Sequence, residues 1–142
     1  LRTRFKEAGI KIEKSFTADL AAPKQKVNEE KYGIIICDAP CSGSGTWSRT
    51  PEQLFCFDES TIAAFAERQK KIVSNIIAHL DSGSLFFYIT CSVFEKENES
   101  VVSFITSQLS NNDRPLQLRE MKYLRGYEKA ADTMFVAVFS VG

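Results

Sequence analysis

Two cysteines follow two apolar segments of this 142-residue chain. Cys41 comes shortly after the apolar run at residues 33–37, which Asp38 directly follows. Cys91 comes shortly after the apolar run at residues 85–89. If the runs are neighbouring parallel strands, their carboxyl ends meet at one edge of the sheet, where open α/β sheets bind ligands. A thiolate is a strong nucleophile where dipoles or positive charge lower the pKa of the cysteine. The pattern therefore predicts two thiols and a carboxylate at one site.

The other two cysteines indicate packing. Cys37 lies inside an apolar run and Cys56 is flanked by Phe55 and Phe57, so we expect both to behave as small hydrophobic side chains. The cysteines lack Cys-x-x-Cys spacing, and His79 is far from them in sequence. We therefore expect no metal site, and reduced thiols in a cytoplasmic protein.

The glycine-rich segment at residues 43–48 gives no nucleotide-binding signature. The position of the third glycine in a dinucleotide-binding loop is occupied by Ser48, and no Gly-Lys-Ser/Thr ending follows. The segment is either an ordinary connection or a flexible loop that lets the backbone approach a ligand.

Helices and strands alternate along the chain, which is typical of an α/β domain. We predict buried strands at residues 33–37 and 85–89, the first of them buried on both faces of a parallel sheet. A long amphipathic helix that begins near Asp58 joins them. The other predicted elements are a helix at 1–8, a half-exposed strand at 10–16, a helix from about 96, and strands at 116–123 and 134–141.

The composition is that of one folded domain. Hydrophobic residues make up 44% of the chain, and 18 basic residues balance 18 acidic ones. This excludes a charged disordered tail and argues against a large basic surface for nucleic acid. The sequence has no apolar run near the roughly 20 residues of a membrane span, so we expect no membrane partner.

Two segments carry a resemblance to a known family. The first reads Asp38-Ala39-Pro40-Cys41-Ser42-Gly43, followed by Gly45, Arg49, Pro51 and Glu52, and the second reads Thr90-Cys91-Ser92, followed by Glu97-Asn98. In this order they resemble the fourth and sixth motifs of the Sun-type (Nol/Nop/Sun) RNA cytosine-5 methyltransferases. The likeness extends to the helix around residues 67–69 and to the last strand, and so runs nearly end to end.

The resemblance implies a reaction and roles for three residues. The reaction is transfer of a methyl group from S-adenosylmethionine to carbon 5 of a cytosine in RNA, and we expect ribosomal RNA. The likeness implies that Cys91 adds to carbon 6 of the base and that Cys41 assists release of the product. Asp38 would hold the amidine edge of the cytosine.

The resemblance also implies binding residues. Asp19 and Asp38 match positions that contact the cofactor, and Pro40 and Arg49 match positions that contact the substrate. The target base must be single-stranded or flipped out of a helix to reach a cysteine in a cleft. Basic residues that could contact phosphate, most of which we expect to be merely solvated, are Lys24, Lys26, Arg68, Lys70, Lys71, Arg119, Lys122 and Arg125.

The expected fold is a Rossmann-like methyltransferase fold, with a mostly parallel sheet, helices on both faces and an antiparallel final strand. The family's first strands and glycine-rich cofactor loop have no counterpart in this sequence. Residues 1–142 are therefore expected to be a partial catalytic domain, truncated at its N-terminus. We expect this chain alone to bind S-adenosylmethionine very weakly and to be inactive.

Three alternatives remain open. In a DNA cytosine-5 methyltransferase the nucleophile would be Cys41, which leaves residues 90–92 without a role. A non-catalytic RNA-binding or ribosome-assembly module is favoured by the missing cofactor loop, although both cysteines and Asp38 are intact. A redox role would require a reversible disulfide between Cys41 and Cys91.

Overall fold

The computed structural model describes residues 2–22, 30–108 and 115–142. Its strands are β1 (Tyr32–Asp38), β2 (Leu80–Thr90), β3 (Leu116–Leu124) and β4 (Met134–Val141). Its helices are α1 (Arg2–Glu7), α2 (Glu52–Phe55), α3 (Ser60–Ile77) and α4 (Glu99–Gln108), with single 3₁₀ turns at Ser44–Thr46, Glu95–Glu97 and Tyr127–Lys129. The four strands form one sheet in the order β1-β2-β4-β3.

The sheet is mixed, so the prediction of a mostly parallel sheet is wrong. Strands β1 and β2 are parallel, with Cys37 opposite Tyr88, and α3 makes the crossover between them. Strand β4 runs antiparallel to both β2 and β3. The short connection between β3 and β4 permits only antiparallel pairing, because a parallel pair needs a crossover of a dozen or more residues.

The core lies between one face of the sheet and two helices. Its buried side chains include Val73 and Ile76 of α3, Val101 and Ile105 of α4, and the inward positions of the strands, Phe86, Tyr88, Phe135, Ala137 and Phe139. Helices α3 and α4 thus cover the same face. Helices were predicted on both faces of the sheet; in the part of the chain that the structure describes, no helix covers the opposite face.

Strand β1 is exposed on that opposite face. Ile34 and Ile36 are 60% and 66% exposed, while Cys37 is buried on the inner face. The prediction that this strand is buried on both faces is therefore wrong, because β1 is an edge of the described sheet and only its inner face meets α3. Its continuous apolar sequence is nevertheless typical of a strand that is buried on both faces.

Two local predictions also differ from the structure. Residues 10–16 form no strand, because they pair with none of the described strands, and Ile10 and Phe16 are exposed. Cys56 is exposed rather than packed, because the single-turn helix α2 buries none of its residues, and the neighbouring Phe55 is 93% exposed. The predicted burial of Cys37 is confirmed.

The long helix begins as its sequence predicts. The carboxylate of Asp58 accepts a hydrogen bond of 2.8 Å from the backbone N–H of Ser60, the first residue of α3. This satisfies one of the free N–H groups at the helix start. None of the helices that the structure describes is long and apolar enough to cross a membrane.

Candidate active site

The parallel pairing of β1 and β2 brings the two cysteine loops to one edge of the sheet. Asp38 lies opposite Ile89, and the ladder continues past the strand end, where the N–H of Ala39 donates to the carbonyl of Ile89 at 2.9 Å. Beyond this point the two loops run side by side. The Sγ atoms of Cys41 and Cys91 are 3.3 Å apart, which is a thiol–thiol hydrogen bond.

This hydrogen bond makes the two thiols unequal. Donation by the Cys41 thiol lowers the pKa of Cys91 to about 7, and the same bond, together with burial, raises the pKa of Cys41. Burial and the negative charges of Asp38 and Asp132 oppose the lowering at Cys91. Cys91 is therefore the thiol that ionises near neutral pH, whereas Cys41 keeps its proton.

Asp38 stands at the end of β1 with its side chain exposed. Its negative charge is felt at both Cys37 and Cys91, whose pKa values it raises. Its carboxylate accepts no hydrogen bond from the residues that the structure describes. It is therefore free to accept hydrogen bonds from a ligand beside the thiols.

Pro40 links the first cysteine loop to α3. Its carbonyl accepts a hydrogen bond of 2.9 Å from Nε2 of Gln69, which is fully buried. The other amide atom of this side chain, Oε1, is buried without a partner among the described residues. Gln69 thus fixes the backbone directly before Cys41.

A buried carboxylate connects the two loops. Oε1 of Glu97 accepts a hydrogen bond of 2.8 Å from the backbone N–H of Ser42, and Oε2 accepts bonds from the hydroxyls of Ser42, at 2.6 Å, and Ser92. Glu97 has no exposed surface. Glu97 was expected only as part of a motif, and its contact with both loops was not predicted. The available signal was that a serine follows each cysteine.

Asn98 fixes the turn that carries Cys91. Its Oδ1 accepts a hydrogen bond of 2.6 Å from the hydroxyl of Thr90, and its Nδ2 donates to the carbonyl of Ser92 at 2.8 Å. Nδ2 also donates to the hydroxyl of Tyr123 at 3.1 Å. The residues on both sides of Cys91 are therefore held by one buried amide.

Arg49, predicted to contact substrate, is paired within the chain. Its guanidinium binds Asp132 through two bonds, Nε to Oδ1 at 3.1 Å and Nη2 to Oδ2 at 2.7 Å, which lowers the pKa of Asp132.

Backbone hydrogen bonds at Gly45 clamp the first cysteine loop. The N–H of Gly45 donates to the carbonyl of Cys91 at 2.8 Å. The N–H of Thr133 donates to the carbonyl of Gly45 at 2.9 Å, so the first loop is clamped between the second loop and the chain leading into β4.

Three aromatic rings brace the two loops. Trp47 of the first loop lies edge-on to Phe57, with ring centroids 4.8 Å apart, and to Phe94 of the second loop at 6.0 Å. Phe57 and Phe94 are stacked at 5.5 Å. This cluster gives the loops an apolar support outside the main core.

Asp19 lies beside α3 instead of beside the thiols. Its carboxylate accepts a hydrogen bond from the N–H of Ala21 at 3.1 Å and lies 3.9 Å from the guanidinium of Arg68. No described contact joins it to either cysteine. Arg68 is nevertheless adjacent in sequence to Gln69, which reaches Pro40.

The remaining basic candidates are spread over several elements. Lys70 pairs with Glu67 and Lys122 pairs with Glu120. Arg119 donates to the hydroxyl of Ser140 at 2.7 Å. Lys24 and Lys26 lie outside the described residues. Within residues 2–22, 30–108 and 115–142, no group of three or more His, Cys, Asp or Glu side chains could hold a metal ion.

The fold matches solved methyltransferases. Superposition on the crystal structure of NSun6 from Pyrococcus horikoshii, solved with SFG, gives a TM-score of 0.79 at 22% sequence identity. The match covers 98% of this chain and 37% of that protein. The chain therefore has the fold of part of a methyltransferase domain, with a cysteine pair at the edge of its sheet.

The sequence defines the family. The model of the family described as 16S rRNA methyltransferase RsmB/F matches residues 2–139, and the chain belongs to this family. It is 37% identical over 84 residues to ribosomal RNA small subunit methyltransferase B of Citrobacter koseri, covering 58% of this chain and 20% of that protein. It is 36% identical over 72 residues to ribosomal RNA small subunit methyltransferase F of Shewanella loihica, covering 51% of this chain and 15% of that protein. The chain thus spans about a fifth or less of the length of these relatives.

Proposed function

We propose that residues 1–142 form part of the catalytic domain of an S-adenosylmethionine-dependent methyltransferase that modifies carbon 5 of a cytosine in ribosomal RNA. The observation that carries this proposal is the pair of unequal thiols, 3.3 Å apart, at the strand ends of a methyltransferase fold. Membership of the RsmB/F family supports ribosomal RNA as the substrate. We propose a cytoplasmic location on the basis of the small number of cysteines and their lack of Cys-x-x-Cys spacing.

Cys91 is the nucleophile in this proposal. Carbon 5 of cytosine is weakly nucleophilic, and addition of a thiolate to carbon 6 moves electron density onto carbon 5. Of the two thiols, Cys91 has the lowered pKa and is the one that ionises near neutral pH. This step needs an unpaired or flipped-out base, because a stacked base cannot reach the sulfur.

Cys41 acts after the methyl group has arrived. Once the sulfur of Cys91 is bonded to carbon 6, it no longer accepts the hydrogen bond that keeps the proton on Cys41. The Cys41 thiol can then lose its proton to solvent and accept the proton from carbon 5. The electron pair left at carbon 5 re-forms the double bond to carbon 6 and expels the Cys91 thiolate.

Asp38 and Pro40 would contact the base. The exposed Asp38 carboxylate, to which no described residue donates, can accept from the amino group of cytosine, and the ring of Pro40, two residues further along the same loop, would pack against the base. Arg49 is held by Asp132 through Nε and Nη2, and its exposed Nη1 would be the group that contacts RNA phosphate.

The residues present fit part of an S-adenosylmethionine site. The cofactor carries a sulfonium charge and N–H donors, and the unpaired carboxylate of Asp38 at the strand end suits both. Asp19, exposed on its turn beside α3, would take the adenine side. When bound there, the cofactor would supply the electrophilic methyl group.

A covalent-trapping experiment tests the proposed function. The full-length protein with Cys41→Ala is incubated with S-adenosylmethionine and total ribosomal RNA, then run on a denaturing gel. We expect a protein–RNA band, because the adduct forms but is not released. Adding Cys91→Ala should abolish the band, whereas adding Cys56→Ala, which removes an exposed thiol, should leave it unchanged.

The same gel separates the alternatives. A band that survives Cys91→Ala but is lost with Cys41→Ala would identify Cys41 as the nucleophile, as in the DNA cytosine-5 class. The raised pKa of Cys41 argues against that outcome. No band under any condition would contradict the enzymatic proposal and leave an RNA-binding module.

A further inference from the structure

The carboxylate of Glu97 is buried between the two cysteine loops and receives donors from both. Ser42, which follows Cys41, donates through its backbone N–H and its hydroxyl. Ser92, which follows Cys91, donates through its hydroxyl. The carbonyl of Glu97 in turn accepts a hydrogen bond of 2.6 Å from the buried hydroxyl of Tyr88 on β2. One side chain therefore joins both loops, and its backbone is anchored to the central strand.

A carboxylate is a costly choice for a purely structural bridge. Burial removes it from water, and the loss is offset only when hydrogen-bond donors surround its oxygens. Here three donors do so, and bonds to a carboxylate are short and strong compared with neutral ones. Ser44 reinforces the arrangement, since its Oγ lies 3.3 Å from the hydroxyl oxygens of both Ser42 and Ser92.

Neither sulfur is in hydrogen-bond contact with Glu97. The described contacts of its carboxylate are with Ser42 and Ser92, each one residue beyond a cysteine. Its influence on the thiols therefore passes through the backbone of the two loops.

We propose that Glu97 is a positioning residue that holds Cys41 and Cys91 within hydrogen-bond distance of each other by tying Ser42 to Ser92. The inference deepens the proposed function and rests on it for its catalytic meaning. The alignment of the thiols can, however, be measured without RNA or cofactor.

The test uses an arsenical that binds two thiols at once. Phenylarsine oxide is titrated into the reduced full-length protein carrying Cys56→Ser, which removes the exposed thiol. Capture by the second thiol depends on its effective concentration at the first. We expect Glu97→Ala to weaken capture by about tenfold or more, because the loops are no longer tied. The single variants Cys41→Ala and Cys91→Ala define the signal of one thiol alone.

Glu97→Gln is the conservative rescue. Its Oε1 can still accept from the Ser42 N–H, and its Nε2 can donate to the two serine hydroxyls, which rotate to accept. We expect capture within about threefold of the parent, because three hydrogen bonds persist. The matched control is Glu95→Ala, an exposed glutamate in the same 3₁₀ turn, which should change nothing.

A second variant covers a failure of Glu97→Ala to fold. Ser92→Ala keeps both bonds from Ser42 to Glu97 and removes the bond from the Cys91 loop, together with the contacts of the Ser92 hydroxyl with Ser42, Ser44 and the N–H of Phe94. It should weaken capture, and its melting temperature shows whether the variant is folded. Folded Glu97→Ala or Ser92→Ala protein with parent-like capture would overturn the proposal. So would folded Glu97→Gln protein that captures as poorly as Glu97→Ala.

The covalent-trapping gel separates this inference from the proposed function. Weakened capture in Glu97→Ala and Ser92→Ala, with a smaller RNA adduct, supports both. Weakened capture with no adduct even in the parent would support the positioning role and contradict the enzymatic proposal. Normal capture in Glu97→Ala and Ser92→Ala, with an RNA adduct in the parent, would contradict the positioning role and support the enzymatic proposal.

Discussion

At the scale of single residues, one hydrogen bond gives two cysteine side chains different pKa values. Both cysteines lie at strand ends and both are half-buried. Cys41 donates and Cys91 accepts, and this difference is the largest cause of the lowered pKa of Cys91 and of the raised pKa of Cys41. The nearby carboxylates of Asp38 and Asp132 work against the thiolate, so the hydrogen bond from Cys41 is its main source of stabilisation.

The different pKa values of Cys41 and Cys91 predict how the rate of alkylation depends on pH. The rate at which iodoacetamide modifies Cys91 should rise with pH through a midpoint near 7, since only the thiolate reacts. Cys41→Ala removes the hydrogen bond that lowers the pKa of Cys91, so the midpoint of the alkylation curve should move up to about 8.5 or above. Mass spectrometry of the peptide containing Cys91 measures both curves.

Cys37→Ala is the control for this measurement, since Cys37 is buried and should not affect the midpoint. An unchanged midpoint in Cys41→Ala would contradict the hydrogen-bond assignment. So would alkylation of Cys41 before Cys91 in the parent protein.

At the scale of elements, the parallel pair β1–β2 brings the cysteines together and a close backbone contact holds their loops. A Cβ atom added at Gly45 would lie 2.1 Å from the carbonyl oxygen of Thr133 and 2.8 Å from that of Cys91. Both are backbone atoms and neither can move without shifting its own chain segment. Glycine at this position is therefore what lets the first loop enter between the second loop and β4.

Gly45→Ala should accordingly destabilise the protein. We expect a loss of about 2 kcal/mol in the free energy of unfolding, within the usual range for overpacking, measured by urea denaturation. The turn that carries Cys91 should shift as well, so the pKa of Cys91 should rise. Gly33→Ala is the matched control, because a Cβ there meets no atom within 4 Å. Equal stability of the two variants would contradict this account.

The sequence predicted the main strands, the long helix and the proximity of the two thiols. It did not predict which faces of the strands are exposed or which side chains hold the cysteine loops. Apolar runs and helical periodicity identified both parallel strands, α3 and the closing strands, since these signals are local. The exposure of Ile34 and Ile36 depends on what lies next to β1, and the alternation at residues 10–16 has no described strand to pair with. Glu97 was missed because its partners are 55 and 5 residues away along the chain, and spacing carries no signal for such a contact.

At the scale of the whole molecule, the candidate site is one edge of a mixed sheet whose second face is largely uncovered by described helices. The outward side of β1 presents Ile34 and Ile36 to solvent, beside a shallow apolar groove of about 310 Å³ that Phe16 and Tyr32 help to line. Exposed apolar strand edges tend to associate with other chains. Strand β1 therefore presents this apolar face and also leads into the loop that carries Cys41 of the thiol site.

The isolated chain should bind S-adenosylmethionine poorly. It provides Asp38 and Asp19 on separate loops and spans about a fifth of the length of its relatives. We expect a Kd weaker than about 1 mM by calorimetry, equivalent to about 4 kcal/mol or less of binding free energy. The full-length protein should bind far more tightly, and Asp38→Asn should weaken that binding. Micromolar affinity of the 142-residue chain would show that these residues suffice.

The clamp at Gly45 also sets an order of events during synthesis. The loop bearing Cys41 leaves the ribosome before the segment that carries Thr133, against whose carbonyl it packs. Translation delivers the amino-terminal segments first, and contacts distant in sequence form late. Until the segment leading into β4 has been synthesised, the loop that bears Cys41 lacks the Gly45–Thr133 contact that clamps it beside the Cys91 loop. The clamp on the two cysteine loops is therefore completed after the pairing of β1 with β2 that brings them together.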